Sequence, residues 1–244
     1  MSVLVLQLAG PLQSWGATAR FARRTTENAP TKSGVIGLLA AAQGLERDAD
    51  LSQLAALRFG VRIDQPGTRI RDFHTAHHPD TETAMPISQR YYLADAVFIA
   101  AVEGPDGFIE ELHQALQAPR FLPYLGRRSC PPARPLDLGI RHQAGLADVL
   151  AGEPWQAAAW HQQRRRREAT VDLPVLRDAE PDTSGTVTGD TVRDLPLSFD
   201  ARHRRYALRT VYATTVTVPN PHSRPEHSLR SVPAHDPTSL LEDV

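Results

Sequence analysis

Val3 to Leu8 is short, β-branched and apolar on nearly every residue, the pattern of a strand buried on both faces, and Ala94 to Val102 repeats that character more strongly. Any sheet holding both must be covered on its two sides, and the residues that follow each strand supply the cover. Pro30 to Gly44 forms a helix that Thr31 or Ser33 caps, and Phe108, Leu112 and Leu116 recur at the four-residue spacing of a second one. Leu51 to Leu57 reads as a short helix or turn, and Arg58 to Asp64 alternates polar with apolar like a half-buried strand. Pro119 to Leu125 is the expected last strand. The order β-α-β, protrusion, β-α-β is the ferredoxin-like pattern of an α+β fold. The protrusion spans about residues 66–93, with arginines alternating with apolar residues from Thr68 to Asp80 and from Met85 to Leu93, as in an extended hairpin with a disordered or proline-bent tip.

Beyond Arg134 the signal weakens. Leu136 to Ile140 is a strand candidate, Leu146 to Leu150 a turn of helix, and Trp155 to Arg167 a helix ending in four arginines. Val171 to Arg177, Thr186 to Arg193 and the long β-branched stretch Tyr206 to Val218 are expected strands of a smaller β-rich C-terminal part. The domain reading is therefore 1–133, 134–218 and a flexible tail over 219–244, where proline, histidine and serine replace apolar residues.

Of the 244 residues 41% are hydrophobic and 23% charged, enough for a core, and the net charge of −1 excludes a uniformly basic coat for nucleic acid. A polyanion would have to be held by local arginine clusters. The single cysteine, Cys130, excludes an internal disulfide framework and a cysteine-based zinc cage, and suits a reducing compartment. Met1 to Leu8 has no targeting features and no stretch reaches membrane-spanning length, so the expectation is a cytoplasmic chain with no membrane partner.

Lys32 is the only lysine and sits at the start of the Pro30 to Gly44 helix, where unpaired backbone N–H groups and the helix dipole favour an anion. The glycine framework of a Walker loop is absent before it. Trp15, on the loop after the first strand, either stacks on an unpaired base or lids the core. Arginines at Arg20 to Arg24, Arg69 to Arg71, Arg90 and Arg127 to Arg128 alternate with Trp15, Phe21, Phe73, Tyr91 and Tyr92, and guanidiniums with aromatic faces are what grips single-stranded RNA. His74, His77 and His78 invite a metal reading, but the four-residue spacing that brings two histidines together needs a helix, Pro79 and the polar flanks argue for a loop, and no metal or other cofactor is expected. One catalytic option stands: a metal-independent ribonuclease using Lys32 with His74, Tyr91 or Tyr92. Arg164 to Arg167 is most simply a solvated basic face, or else a clamp on a phosphate backbone.

Four segments resemble, in order, the signatures of the CasD family, the Cascade subunits of type I-E CRISPR systems: Leu8 to Gly16, Pro30 to Leu39, Arg71 to Thr75 and Pro123 to Pro131. Tyr206 to Val211 is similar to that family's closing strand. The resemblance implies an RRM/RAMP-type ferredoxin-like body with a thumb-like hairpin that holds the 5' handle of the CRISPR RNA and cuts nothing. It implies packing against the adjoining backbone subunit and the large subunit, and contact with target DNA only through the assembled complex. The handle contacts it implies are Gln13, Trp15, Lys32, Ser33 and the loop Gly126, Arg127, Arg128, Ser129, Cys130, with Arg71, His74, Arg90 and Tyr91 on the thumb. Arg20, in the first basic cluster, completes the set of expected RNA-binding residues. The runner-up is a CRISPR repeat endoribonuclease of the same fold.

Overall fold

The computed structural model describes residues 1–16, 23–179, 189–200 and 202–224. In chain order the elements run β1 (Ser2–Ala9), β2 (Leu12–Gln13), β3 (Arg23–Arg24), α1 (Lys32–Gln43), α2 (Ser52–Ala56), β4 (Arg58–Gln65), β5 (Thr68–His74) and β6 (Ser88–Ala94). They continue with β7 (Val97–Gly104), α3 (Asp106–Gln117), β8 (Asp137–His142), α4 (Leu146–Gly152), α5 (Ala159–Arg164), β9 (Thr170–Asp178), β10 (Asp190–Ser198) and β11 (Arg205–Pro219).

Both expected doubly buried strands are central. β1 and β7 are buried at every position and pair antiparallel from Ser2 opposite Gly104 to Ala9 opposite Val97. The period of two in β1 sorts its side chains between layers. Leu4, Leu6 and Leu8 pack with Val35, Ile36 and Leu39 of α1 and Ile109 and Leu112 of α3, whereas Val3 and Val5 meet Leu146, Val149 and Leu150 of α4. The result is an α+β architecture with an antiparallel seven-stranded sheet in the order β10-β11-β9-β4-β7-β1-β8.

Three differences from the sequence reading follow from pairing that only the folded chain provides. Pro119–Leu125 is not a strand; two prolines interrupt its ladder donors, and β8 takes the edge beside β1 instead. The strands after residue 134 also complete the same sheet, β8 on β1 and β9 on β4, so the boundary expected at 133/134 runs through it. In β4 the polar positions do not face water: Arg62 and Asp64 are fully buried, Arg62 reaching the carbonyls of Leu150, Glu153 and Pro154 where α4 ends. A cation there satisfies orphan carbonyls and complements the helix dipole. The expected helix at Trp155 to Arg167 is confined to α5.

β5 and β6 form a hairpin in continuous register from Thr68 opposite Ala94 to His74 opposite Ser88. It does not stand alone. β2 and β3 add to the other edge of β6, β3 in parallel, so a second, four-stranded sheet forms beside the first. Its outer part exposes Ile70, Phe73, Met85 and Ile87. Among the described residues no helix is long and apolar enough to cross a membrane. The strand expected from Thr186 is described only from β10 onward, and residues 225–244 of the expected tail lie outside the described residues.

Candidate nucleic-acid interface

Helix α1 begins as its sequence suggests, with Thr31 Oγ1 accepting the Gly34 N–H at 3.2 Å. The anion at its N-terminus, however, comes from the chain itself. The Lys32 backbone N–H donates to Asp194 Oδ2 at 2.8 Å, and Lys32 Nζ pairs with Asp178 Oδ2 at 3.1 Å. Arg209 ties both carboxylates together, donating from Nε to Asp194 Oδ1 and from Nη1 to Asp178 Oδ1, each at 2.6 Å. Burial lowers the Lys32 pKa, and the Asp178 carboxylate opposes that shift. Lys32 and Ser33, both expected to touch RNA, are buried, and the Lys32 ammonium is taken. Their burial has a physical cause: two carboxylates more than 140 residues away already satisfy the helix N-terminus and the lysine.

Gln13 and Trp15, also expected to touch RNA, are each fully buried in the folded chain. Gln13 Nε2 donates to the carbonyls of Leu8 and Ala96 at 2.9 and 2.8 Å, and the indole N–H donates to Gln13 Oε1 at 3.1 Å. Every strong polar group of the pair is thus spent where β1 turns into β2. The indole lies on the first turn of α1, where a Cβ on Gly34 would sit 2.7 Å from Trp15 Cε3. A glycine inside the helix is the cost of that contact.

The loop Gly126 to Cys130 locks onto the same place. Ser14 N–H donates to the Leu125 carbonyl at 3.1 Å, and Gly126, at φ +87°, comes so near the Ser14 carbonyl that a Cβ would overlap it. Arg127 acts as a strut: Nη1 donates to the Tyr91 carbonyl at 3.1 Å, Nη2 to the Arg24 carbonyl at 2.8 Å, and the guanidinium stacks over Tyr92 at 4.7 Å. Cys130 is buried, with its thiol pKa pushed up by that burial, and its backbone N–H and carbonyl close the loop onto Arg127 and Leu125. Gly126, Arg128 and Ser129 are exposed.

The remaining expected residues lie on the second sheet. Directly opposed residues share a face, which sets Arg71 beside Tyr91 and Asp72 beside Arg90. The parallel pairing of β3 adds Arg23 next to Gln89 and Arg24 next to Arg90, and the Arg23 guanidinium covers the Tyr91 ring at 5.5 Å. One face therefore carries Arg23, Tyr91 and Arg71, and the other Arg24, Arg90 and His74. Asp72 turns its carboxylate to the Phe73 N–H rather than to Arg90, and Arg90 Nε is enclosed with no acceptor among the described residues. Arg20 lies outside the described residues.

A cleft of about 460 Å³ runs along α1 from Thr31 to Arg47, between it, the Ser14–Gly16 loop, Gly126 and the C-terminal strands. Tyr124, Phe121 and Phe199 line it with Arg47, Arg204 and Tyr206, residues that the sequence reading did not single out. Their convergence is not local, since Arg47, just beyond α1, and Tyr206 of β11 are brought together by α1 packing near β10. Aromatic rings and guanidiniums in one lining, with Glu46 beside Arg47, suit a nucleobase and its phosphate.

A profile described as CRISPR-associated protein (Cas_Cas5) matches residues 3–212, from β1 into β11, and so includes α1, the hairpin and the Gly126 loop. Over 164 residues the chain is 40% identical to the CRISPR system Cascade subunit CasD of Escherichia coli (strain K12), spanning 57% of this chain and 70% of that protein. In three dimensions it is similar to a chain of a CRISPR RNA-guided surveillance complex, with a TM-score of 0.73, 34% identity, and 92% of this chain and 95% of that one covered. A crystal structure of a Cas protein gives a TM-score of 0.65 at 36% identity, covering 91% and 98%. With a family profile that spans most of its length and relatives of the same kind in both sequence and fold, the chain belongs to the Cas5 family of CRISPR-associated proteins.

Proposed function

We propose that this chain is the subunit of a Cascade-type CRISPR surveillance complex that holds the 5' handle of the CRISPR RNA without cleaving it. The single observation that carries the reading is the arginine-aromatic surface of the second sheet. There Arg23, Tyr91 and Arg71 align on one face, and the enclosed Arg90 Nε on the other has no acceptor within the described chain. Buried donors are seldom left unpaired, and an RNA phosphate is the kind of acceptor that a guanidinium takes most readily. The strand order β8-β1-β7-β4, with α1 and α3 on one face, supports the ferredoxin-like RRM/RAMP body, and β5–β6 is then its thumb. Exposed Ile70, Phe73, Met85 and Ile87 fit burial against the backbone and large subunits, while target DNA is met only through the complex.

Binding is favoured over catalysis because the lysine that a metal-independent ribonuclease would use is buried against Asp178. The test is incubation of the purified chain with labelled repeat RNA in chelator. Retention of intact RNA is expected, and multiple turnover to a 2',3'-cyclic phosphate would overturn the binding reading. Arg71→Ala with Arg90→Ala is expected to weaken handle binding and reduce the salt slope of log K by about 1.4, at about 0.7 per lost phosphate contact on a single strand. An unchanged slope would place the RNA elsewhere.

A further inference from the structure

The basic run at the end of α5 has no part in the surface described above. Trp155, which leads into α5, packs with Val171, Leu173 and Val218, and its indole N–H donates to the Asp64 carbonyl at 2.9 Å. β9 turns Val175, of the same parity as Val171 and Leu173, to the α4 core, so this segment lies across the main sheet from α1. It begins at the root of the hairpin, because the Ala158 N–H donates to Gln65 Oε1 at 3.0 Å while Gln65 Nε2 donates to the Asp95 carbonyl.

Within the run, Arg165 is structural, forked onto Glu168 at 2.9 and 2.5 Å and stacked over Trp155 at 5.8 Å. Arg164 and Arg166 are exposed. Trp160 is 55% exposed, is braced edge-on by the His161 ring at 5.4 Å, and stands one helical turn before Arg164. A further exposed guanidinium arrives from the end of the described chain, where the Arg224 N–H donates to the Arg166 carbonyl at 2.8 Å. The His161 pKa is lowered, first by burial and then by Arg165 and Arg164, and its ring braces the indole edge-on.

We propose that Trp160, Arg164, Arg166 and Arg224 form a second binding site for unpaired RNA, which takes up the strand as it leaves the root of the hairpin. A base stacks on the indole, and neighbouring phosphates lie against the three guanidiniums. An exposed indole selects unpaired bases, because a duplex hides their faces. The identity of the ligand rests on the proposed handle binding, and the continuity between hairpin root and α5 connects the two sites.

The test compares two RNAs on the full-length chain by fluorescence anisotropy: a handle RNA, and the same RNA extended by about ten unpaired uridines. The extension is expected to tighten wild-type binding about tenfold. Trp160→Ala combined with Arg164→Ala and Arg166→Ala is expected to abolish that gain while binding the unextended RNA as the wild type does, and Trp160→Phe alone is expected to keep it. All these side chains are exposed, so folding is not at risk. No gain from the extension, a gain that survives the triple substitution, or an equal gain from a base-paired extension would each overturn the proposal. Failure of the unextended RNA to bind would count against the handle reading instead.

Discussion

Asp194→Ala tests whether the N-terminus of α1 is held by the chain's own carboxylate. In the folded protein Asp194 is 1% exposed and accepts Arg209 Nε at 2.6 Å, Arg209 Nη2 at 2.9 Å and the Lys32 N–H at 2.8 Å. Truncation leaves Arg209 buried with Asp178 alone, and breaking one side of a buried ion pair costs about 3–5 kcal/mol. It also strands the first N–H of α1, a loss of about 1–3 kcal/mol that overlaps the first, so a net of about 4 kcal/mol is reasonable. For a chain of this size each kcal/mol moves Tm by about 2–4 °C, giving a drop of about 8–16 °C. Asp194→Asn, which keeps an acceptor for the Lys32 N–H but not the charge, should fall about halfway. Calorimetry measures both. Inorganic phosphate, at concentrations too low to stabilise proteins generally, should raise the Tm of Asp194→Ala and leave the wild type unmoved. A drop below about 3 °C in Asp194→Ala would refute the reasoning, because the helix N-terminus would then owe nothing to this carboxylate.

Gly126→Ala should fail to close the loop, since its positive φ and its approach to the Ser14 carbonyl exclude a Cβ; a loss of about 2–3 kcal/mol in urea unfolding is expected, together with weaker handle binding. Arg127→Ala removes the donors to the Tyr91 and Arg24 carbonyls and the stack on Tyr92, for about 2–3 kcal/mol, and complex assembly on CRISPR RNA should fall with it. Because burial lowers the Lys32 pKa, the unfolded chain binds the extra proton between that lowered value and 10.5. Stability from this group should therefore rise with pH through that window, and Lys32→Met should flatten the rise in urea titrations taken across it.

The elements that local pattern defines were legible: β1 and β7 from continuous apolar runs, α3 from its four-residue spacing, and the hairpin from alternating arginines. What local pattern cannot carry is the partner of each strand. Asp137–His142 is only partly buried and contains a glycine at φ +89°, so nothing in it outranked Pro119–Leu125 as the fourth strand until β1 was there to pair with it. β2 and β3 have two residues each and exist only as additions to β6. For the site, the motif residues were legible but their exposure was not. Gln13, Trp15, Lys32 and Cys130 sit in segments that the sequence marks, and all four are buried.

That burial separates two jobs which a motif runs together. Thr31 and Gly34 specify a helix start onto which an indole can lie flat, and the same geometry would serve a phosphate equally well. Asp194 and Asp178 decide between the two, and they come from strands that reach α1 only after β9 has paired with β4 and β11 with β9. The C-terminal strands are thus part of what builds the proposed RNA surface, because Asp178 and Asp194, which hold Lys32 and the start of α1, come from them. The motif around Lys32 then marks the frame of the proposed site, while the groups proposed to grip RNA are arginines on the neighbouring sheet. This accounts for a single lysine placed so prominently in a chain whose exposed cations are arginines.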